Sequence, residues 1–163
     1  MKTDQDKYLI LHTPGSAGLD HILAVVKGAI KEAIHLKRVL VIDKYTMPAH
    51  HNLGHELKNL DIERYINLNK TQIYKMKNNG SIEEINSAFR YIRMENFDYH
   101  KYPEELVLRL SDITPVSETQ NNQYKVIVRK TIDTFYYRKI YPDILMVALY
   151  PSDQVEHLTD MVL

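Results

Sequence analysis

The sequence predicts an α/β domain: three layers around a mostly parallel sheet. Three observations carry that expectation. Residues 8–43 read as strand, glycine-containing loop, helix and strand, the unit α/β proteins use to present free backbone N–H groups to an anion. Later runs at 124–130 and 144–149 are short and apolar, with the β-branched Val126, Ile127 and Val128 in the first. The chain has 163 residues, 44% hydrophobic and 26% charged, which suits one domain spanning 1–163 with its own core.

Taken in order, Tyr8 to His12 is nearly all apolar, as a strand buried on both faces of a parallel sheet is. Pro14, Gly15 and Gly18 interrupt it. Asp20 is placed to cap a helix whose apolar residues Ile22, Leu23, Val25, Val26, Ala29, Ile30, Ala33 and Ile34 recur at helical spacing. Lys27, Lys31, Glu32 and His35 fall largely on its other face, and Lys37 and Arg38 suit its C-terminal end. Val39 to Ile42 is a second buried strand closed by Asp43, and a right-handed crossover makes the two strands parallel. Residues 44–59 read as a loop, 62–68 as a short, loosely alternating strand, and Asn78-Asn79-Gly80 as a turn, with 73–76 ambiguous. Ser81 is expected to cap a helix with the stripe Ile82, Ile85, Ala88, Phe89 and Ile92, and Pro103 to open another containing Leu106, Leu108 and Leu110. Residues 117–123 read as a loop, 124–130 as a strand with Arg129 and Lys130 at its end, and 144–149 as a strand. Residues 134–141 have no clear pattern, and Pro151-Ser152-Asp153 begins a last helix containing Val155, Leu158 and Val162.

The totals exclude several classes. The 21 basic and 21 acidic residues balance, so no net field favours nucleic acid or an anionic membrane, and neither is an expected partner. Cysteine is absent, which excludes disulfides and thiolate metal sites and fits a reducing compartment. The charged opening residues lack the apolar core of a signal peptide, and no apolar run reaches transmembrane length, so a cytoplasmic location is expected. Twelve tyrosines without a tryptophan fit half-buried packing better than a binding cleft.

Four groups of residues are candidates for chemistry. Gly15 and Gly18 lie where a strand gives way to a helix, so backbone N–H groups and a positive dipole end converge on one point; a plain tight turn explains them equally well. Neither the three spaced glycines of a dinucleotide site nor the Gly-Lys-Ser/Thr of a P-loop is present. Asp43 stands where a ribose-binding acid would stand. His51 and His55 are four apart beside His50 and Glu56, but Gly54 weakens a helix there and nothing supplies a fourth ligand, so no metal is expected. Arg129 can meet a phosphate, although solvated basic residues on an edge strand account for it better. No nucleophile–base set stands out, and no catalytic residue is assigned.

Two stretches resemble a known family. The run Gly18-Leu19-Asp20-His21-Ile22-Leu23 with its small-residue helix, then Lys37-Arg38-Val39-Leu40-Val41-Ile42-Asp43, resembles the opening of the fucosyltransferase superfamily, which includes the protein O-fucosyltransferases and the nodulation-type α-1,6-fucosyltransferases. The tail Leu149-Tyr150-Pro151-Ser152-Asp153-Gln154-Val155 is similar to the helix start that precedes the family's arginine motif. Asp20 and His21 occupy the positions of the family's second glycine and asparagine, and Ile127 that of its motif histidine. The resemblance implies a Rossmann-like fold, the N-terminal, acceptor-side half of a GT-B glycosyltransferase whose second domain would follow Leu163. It implies GDP-fucose or a related sugar nucleotide as donor, a carbohydrate or protein as acceptor, and no resident cofactor or metal. Gly15, Gly18, Asp20 and His21 would then border the donor phosphates, with Asp20 or His21 assisting proton transfer, and Asp43, Tyr45, His50 and His51 would line the cleft. On this reading the chain alone lacks the residues for turnover. The alternative is a non-catalytic α/β module that binds a carbohydrate, a nucleotide or a protein.

Overall fold

The computed structural model describes residues 5–12, 19–47, 58–110, 114–130 and 144–153. In chain order, β1 (Tyr8–His12) leads to α1 (Leu19–Leu36) and β2 (Val39–Ile42). The short strands β3 (Tyr45–Met47) and β4 (Lys58–Leu60) follow, then a 3-10 turn at Ile62–Arg64 and the long β5 (Ile66–Met76), which doubles back as β6 (Ile82–Glu84). Next come β7 (Tyr91–Arg93), β8 (Val107–Leu110), α2 (Glu118–Gln123), β9 (Val126–Lys130) and β10 (Ile144–Pro151).

The main sheet has five strands in the order β7–β2–β1–β9–β8, every neighbouring pair parallel. The α/β architecture with a parallel sheet is therefore as expected. The strands are short apolar runs because both faces are covered. One face, through Leu9, Leu11, Leu40, Ile42 and Ile127, packs on Ile22, Val25, Val26, Ala29 and Ile30 of α1. The same core takes in Ile66, Leu68, Ile73 and Val147, from a three-stranded antiparallel sheet ordered β10–β5–β6. The other face, through Tyr8, Ile10, Val39, Val41 and Val126, meets Phe97, Met94, Tyr99 and Tyr102 from the β7–β8 connection. That third layer consists of 3-10 turns rather than a helix. Its aromatic rings fill the gap a helix would fill: Tyr8 lies 4.8 Å from Phe97 and 6.0 Å from Tyr102, centroid to centroid.

Several elements differ from expectation. Residues 82–92 form β6, a 3-10 turn and β7, not a helix. The turn before them decides this: Gly80 adopts φ +84°, Lys77 and Ser81 close the loop at 2.8 Å, and Ile82 is thereby laid opposite Met76. Residues 107–110 form β8 instead of a helix, because Leu108 and Leu110 follow the period of a strand and β9 offers a parallel edge, Leu108 opposite Ile127. Residues 118–123 are helical where a loop was expected. A capping box starts that helix: Ser117 Oγ accepts from Gln120 N, and Gln120 Oε1 accepts from Ser117 N, each at 3.1 Å. Residues 45–47 and 58–60 pair as strands inside the expected loop, and the expected strand at 62–68 is a 3-10 turn followed by the start of β5. Asp20 lies inside α1, one residue past its start, rather than capping it. Glu32 is fully buried rather than on the outer face of α1. The strand carrying Arg129 is interior, between β1 and β8, not an edge. Pro151 ends β10 and Asp153 is helical, but residues 154–163 of the expected last helix lie outside the described residues, as do 134–141. Among the described residues, no helix is long and apolar enough to cross a membrane.

Candidate functional site

The carboxyl ends of β2 and β7 frame a cleft of about 270 Å³. Parallel pairing sets it up, because Ile42 lies opposite Arg93 and both strands end at the same edge. Asp43 and Lys44 follow β2 directly and line the cleft. The β3–β4 pair, with Tyr45 opposite Leu60, brings the chain straight back, so Asp61 arrives beside Lys44. Asp61 then caps the 3-10 turn, its carboxylate accepting from Glu63 N at 3.1 Å, and this turns Glu63 towards β7.

Arg93 is the centre of this cleft. Its guanidinium donates to Asp61 at 2.9 Å and to Glu95 at 2.7 Å, and it is also hydrogen-bonded to Glu63. Burial pushes the Asp61 carboxyl up, but the hydrogen bonds from Arg93 and from Glu63 N, with the charges of Arg93 and Lys44, outweigh it and hold the carboxyl below its ordinary value of 3.8. Tyr91 donates to Glu63 Oε1 and Asn69 Oδ1, each at 3.2 Å. Burial, then the Glu63 charge and hydrogen bond, push its phenol up to about 12, so it remains a donor at neutral pH. Among the described residues, the lining carries four carboxylates (Asp43, Asp61, Glu63, Glu95) against Lys44 and Arg93, two negative charges in excess. Among the described residues, Asp43 accepts only from the backbone N–H of Lys44, at 2.8 Å, and makes no ion pair. Such a surface accepts hydrogen bonds from hydroxyl groups and repels phosphate. Among the described residues, no group of His, Asp and Glu is arranged to hold a metal ion.

The sequence candidates are distributed unevenly around it. Asp43 is half-buried in the cleft wall. His21 is half-buried in the first turn of α1, and Asp20 precedes it, its side chain outside what is described. Tyr45 is placed by its backbone in β3, again without a described side chain. Gly15, Gly18, His50 and His51 lie outside the described residues, as does His55. Arg129 is fully buried away from the cleft: Nε and Nη2 donate to the two oxygens of Glu32 at 2.9 and 2.8 Å, and Nη1 donates to the Thr114 carbonyl at 2.6 Å. These hydrogen bonds run inward, to Glu32 of α1 and to the Thr114 carbonyl. Asp61, Glu63, Arg93 and Glu95 were not singled out by sequence reasoning. The one available signal was a charged residue directly after the apolar Tyr91-Ile92 run, as Asp43 directly follows Ile42.

No protein-family model matches the chain, and no curated protein or solved structure matches it either.

Proposed function

We propose that this chain is the acceptor-side half of a GDP-fucose-dependent, fucosyltransferase-like enzyme, with a Rossmann-like domain of the GT-B type. One observation carries the reading: a cleft lined by carboxylates at the carboxyl edge of parallel strands β2 and β7. In α/β proteins this edge is where ligands bind. The excess of carboxylate over cationic groups suits a polyhydroxylated acceptor, whose O–H groups donate to Asp43 and Glu95. The donor diphosphate requires cationic or backbone N–H partners, and on this reading they come from the glycine-containing segment after β1 and from a second domain. The absence of cysteine suits work in a reducing compartment such as the cytoplasm.

Calorimetry tests it. GDP and GDP-fucose should release heat and NAD should not. Asp43→Asn should weaken binding of a hydroxylated acceptor by at least about tenfold, the usual worth of a hydrogen bond to a charged group, with GDP binding unchanged. Binding of NAD without any response to GDP would sink the proposal.

A further inference from the structure

A second concavity lies beside the acidic cleft and has different chemistry. It is produced by an irregularity in β5. Tyr150 of β10 pairs with Asn67 and Ala148 with Gln72, so two steps along β10 match five along β5. The three extra residues form a wide bulge within 68–71, which walls a groove of about 410 Å³. Asn69, Thr71, Gln72, Phe89, Tyr91 and Tyr150 line it.

Three features of the groove point to a ligand. Thr71 is 5% exposed, and its hydroxyl has no hydrogen-bond partner, the one buried side-chain polar atom so placed among the described residues. Leaving a buried hydroxyl without a partner is costly, so a group that completes it is favoured. The amide of Gln72 is oriented: its Oε1 accepts from Tyr74 at 2.7 Å and from Tyr150 at 2.9 Å, which directs its N–H groups to other acceptors. Phe89 and Tyr91 stack at 5.6 Å with planes 18° apart, giving a half-buried aromatic pair in the groove wall. Among the described residues, the lining is otherwise neutral apart from Lys70, which lies 4.0 Å from Asp153. Amide and hydroxyl donors beside aromatic rings, with little charge, match a neutral sugar, which offers hydroxyl groups at its rim and C–H groups on its face.

We propose that this groove is a binding site for a neutral oligosaccharide. It stands on its own residues and does not require the sugar-nucleotide reading. The Tyr91 hydroxyl bonds Glu63 of the cleft and Asn69 of the groove at once, so one glycan chain can lie along both.

The test is NMR titration of the whole chain with three neutral probes, chitotetraose, maltotetraose and xylotetraose, alongside GDP. At least one tetrasaccharide should shift the backbone amides of residues 69–72 and 150. Thr71→Val and Gln72→Ala should each weaken that binding about five- to tenfold, the worth of a hydrogen bond. Thr71→Val keeps its shape and loses an unpartnered hydroxyl, so it should melt no lower than the wild type, which separates lost binding from lost folding. Shifts confined to residues 43, 63 and 95 would overturn the groove while leaving the acidic cleft as the sugar site. Unchanged affinity in Thr71→Val and Gln72→Ala, or no shift with any tetrasaccharide at millimolar concentration, would overturn it as well. Groove binding without any response to GDP would support the groove and count against the proposed function.

Discussion

At the scale of single residues, the end of α1 shows how much depends on two side chains. Lys37 adopts φ +57°, the left-handed region, and two backbone bonds close the helix: Lys37 N to Ile34 O at 3.1 Å and Arg38 N to Ala33 O at 2.8 Å. That is a Schellman ending with lysine where glycine is usual. Arg38, directed inward by the turn, donates to the carbonyls of Tyr8, Asn121, Tyr124 and Lys125 and to Asn121 Oδ1. Burial pulls its guanidinium down to about 10, and with so many acceptors it stays charged at neutral pH. Lys37→Gly relieves the backbone without touching those bonds. It should stabilise the protein by roughly 1 kcal/mol, raising Tm by about 2–4 °C for a domain of this size, as read by calorimetry. The sequence places two basic residues at the helix end correctly. That one of them is a buried clamp depends on the left-handed turn, which nothing in the composition announces.

At the scale of elements, α1 and β9 are joined by the Glu32–Arg129 pair, both side chains fully buried. Removing one partner breaks the pair and leaves the other charge buried without it, whereas replacing both with apolar residues is often neutral. Arg129→Met should therefore cost about 3–5 kcal/mol in urea unfolding, and Glu32→Leu with Arg129→Met should recover most of it. Additive single losses would show that the pair does not couple. Elements are also where sequence reading succeeds and fails in instructive ways. α1 and β1, β2 and β9 are legible because their apolar residues recur at one period and their neighbours bury them. β8 and the 82–92 stretch are misread because short apolar runs fit helix and strand alike, and the choice falls to a pairing partner many residues away. α2 is overlooked because it is polar throughout, and only its capping box and the bonds from Arg38 to Asn121 mark it.

For the whole molecule, the acidic cleft should leave a signature in acid. The Asp61 carboxyl is held below its ordinary value, so its contribution to stability is present above about pH 4 and is lost as pH falls through the folded value. The urea midpoint of Asp61→Asn should lie below that of the wild type near pH 6, and the two should converge as pH falls through the lowered folded value of the Asp61 carboxyl. A difference independent of pH would show that the Asp61 charge is not what matters. The cleft itself joins segments from three parts of the chain: Asp43 and Lys44, Asp61 and Glu63, Arg93 and Glu95. Asp43 is legible alone because it ends a buried apolar run. The others become a site only when Ile42 pairs with Arg93 and Tyr45 with Leu60. The sequence by itself determined the α/β class, the β1–α1–β2 unit and the absence of thiol chemistry, since these follow from local periodicity and residue type. Only the tertiary structure decided that Arg129 is a buried partner of Glu32, that a turn-rich layer replaces a helix, and that a carboxylate cleft and a neutral groove lie side by side. Those outcomes depend on register between distant strands and on the cost of leaving buried charges and polar groups unpaired, neither of which a local pattern encodes.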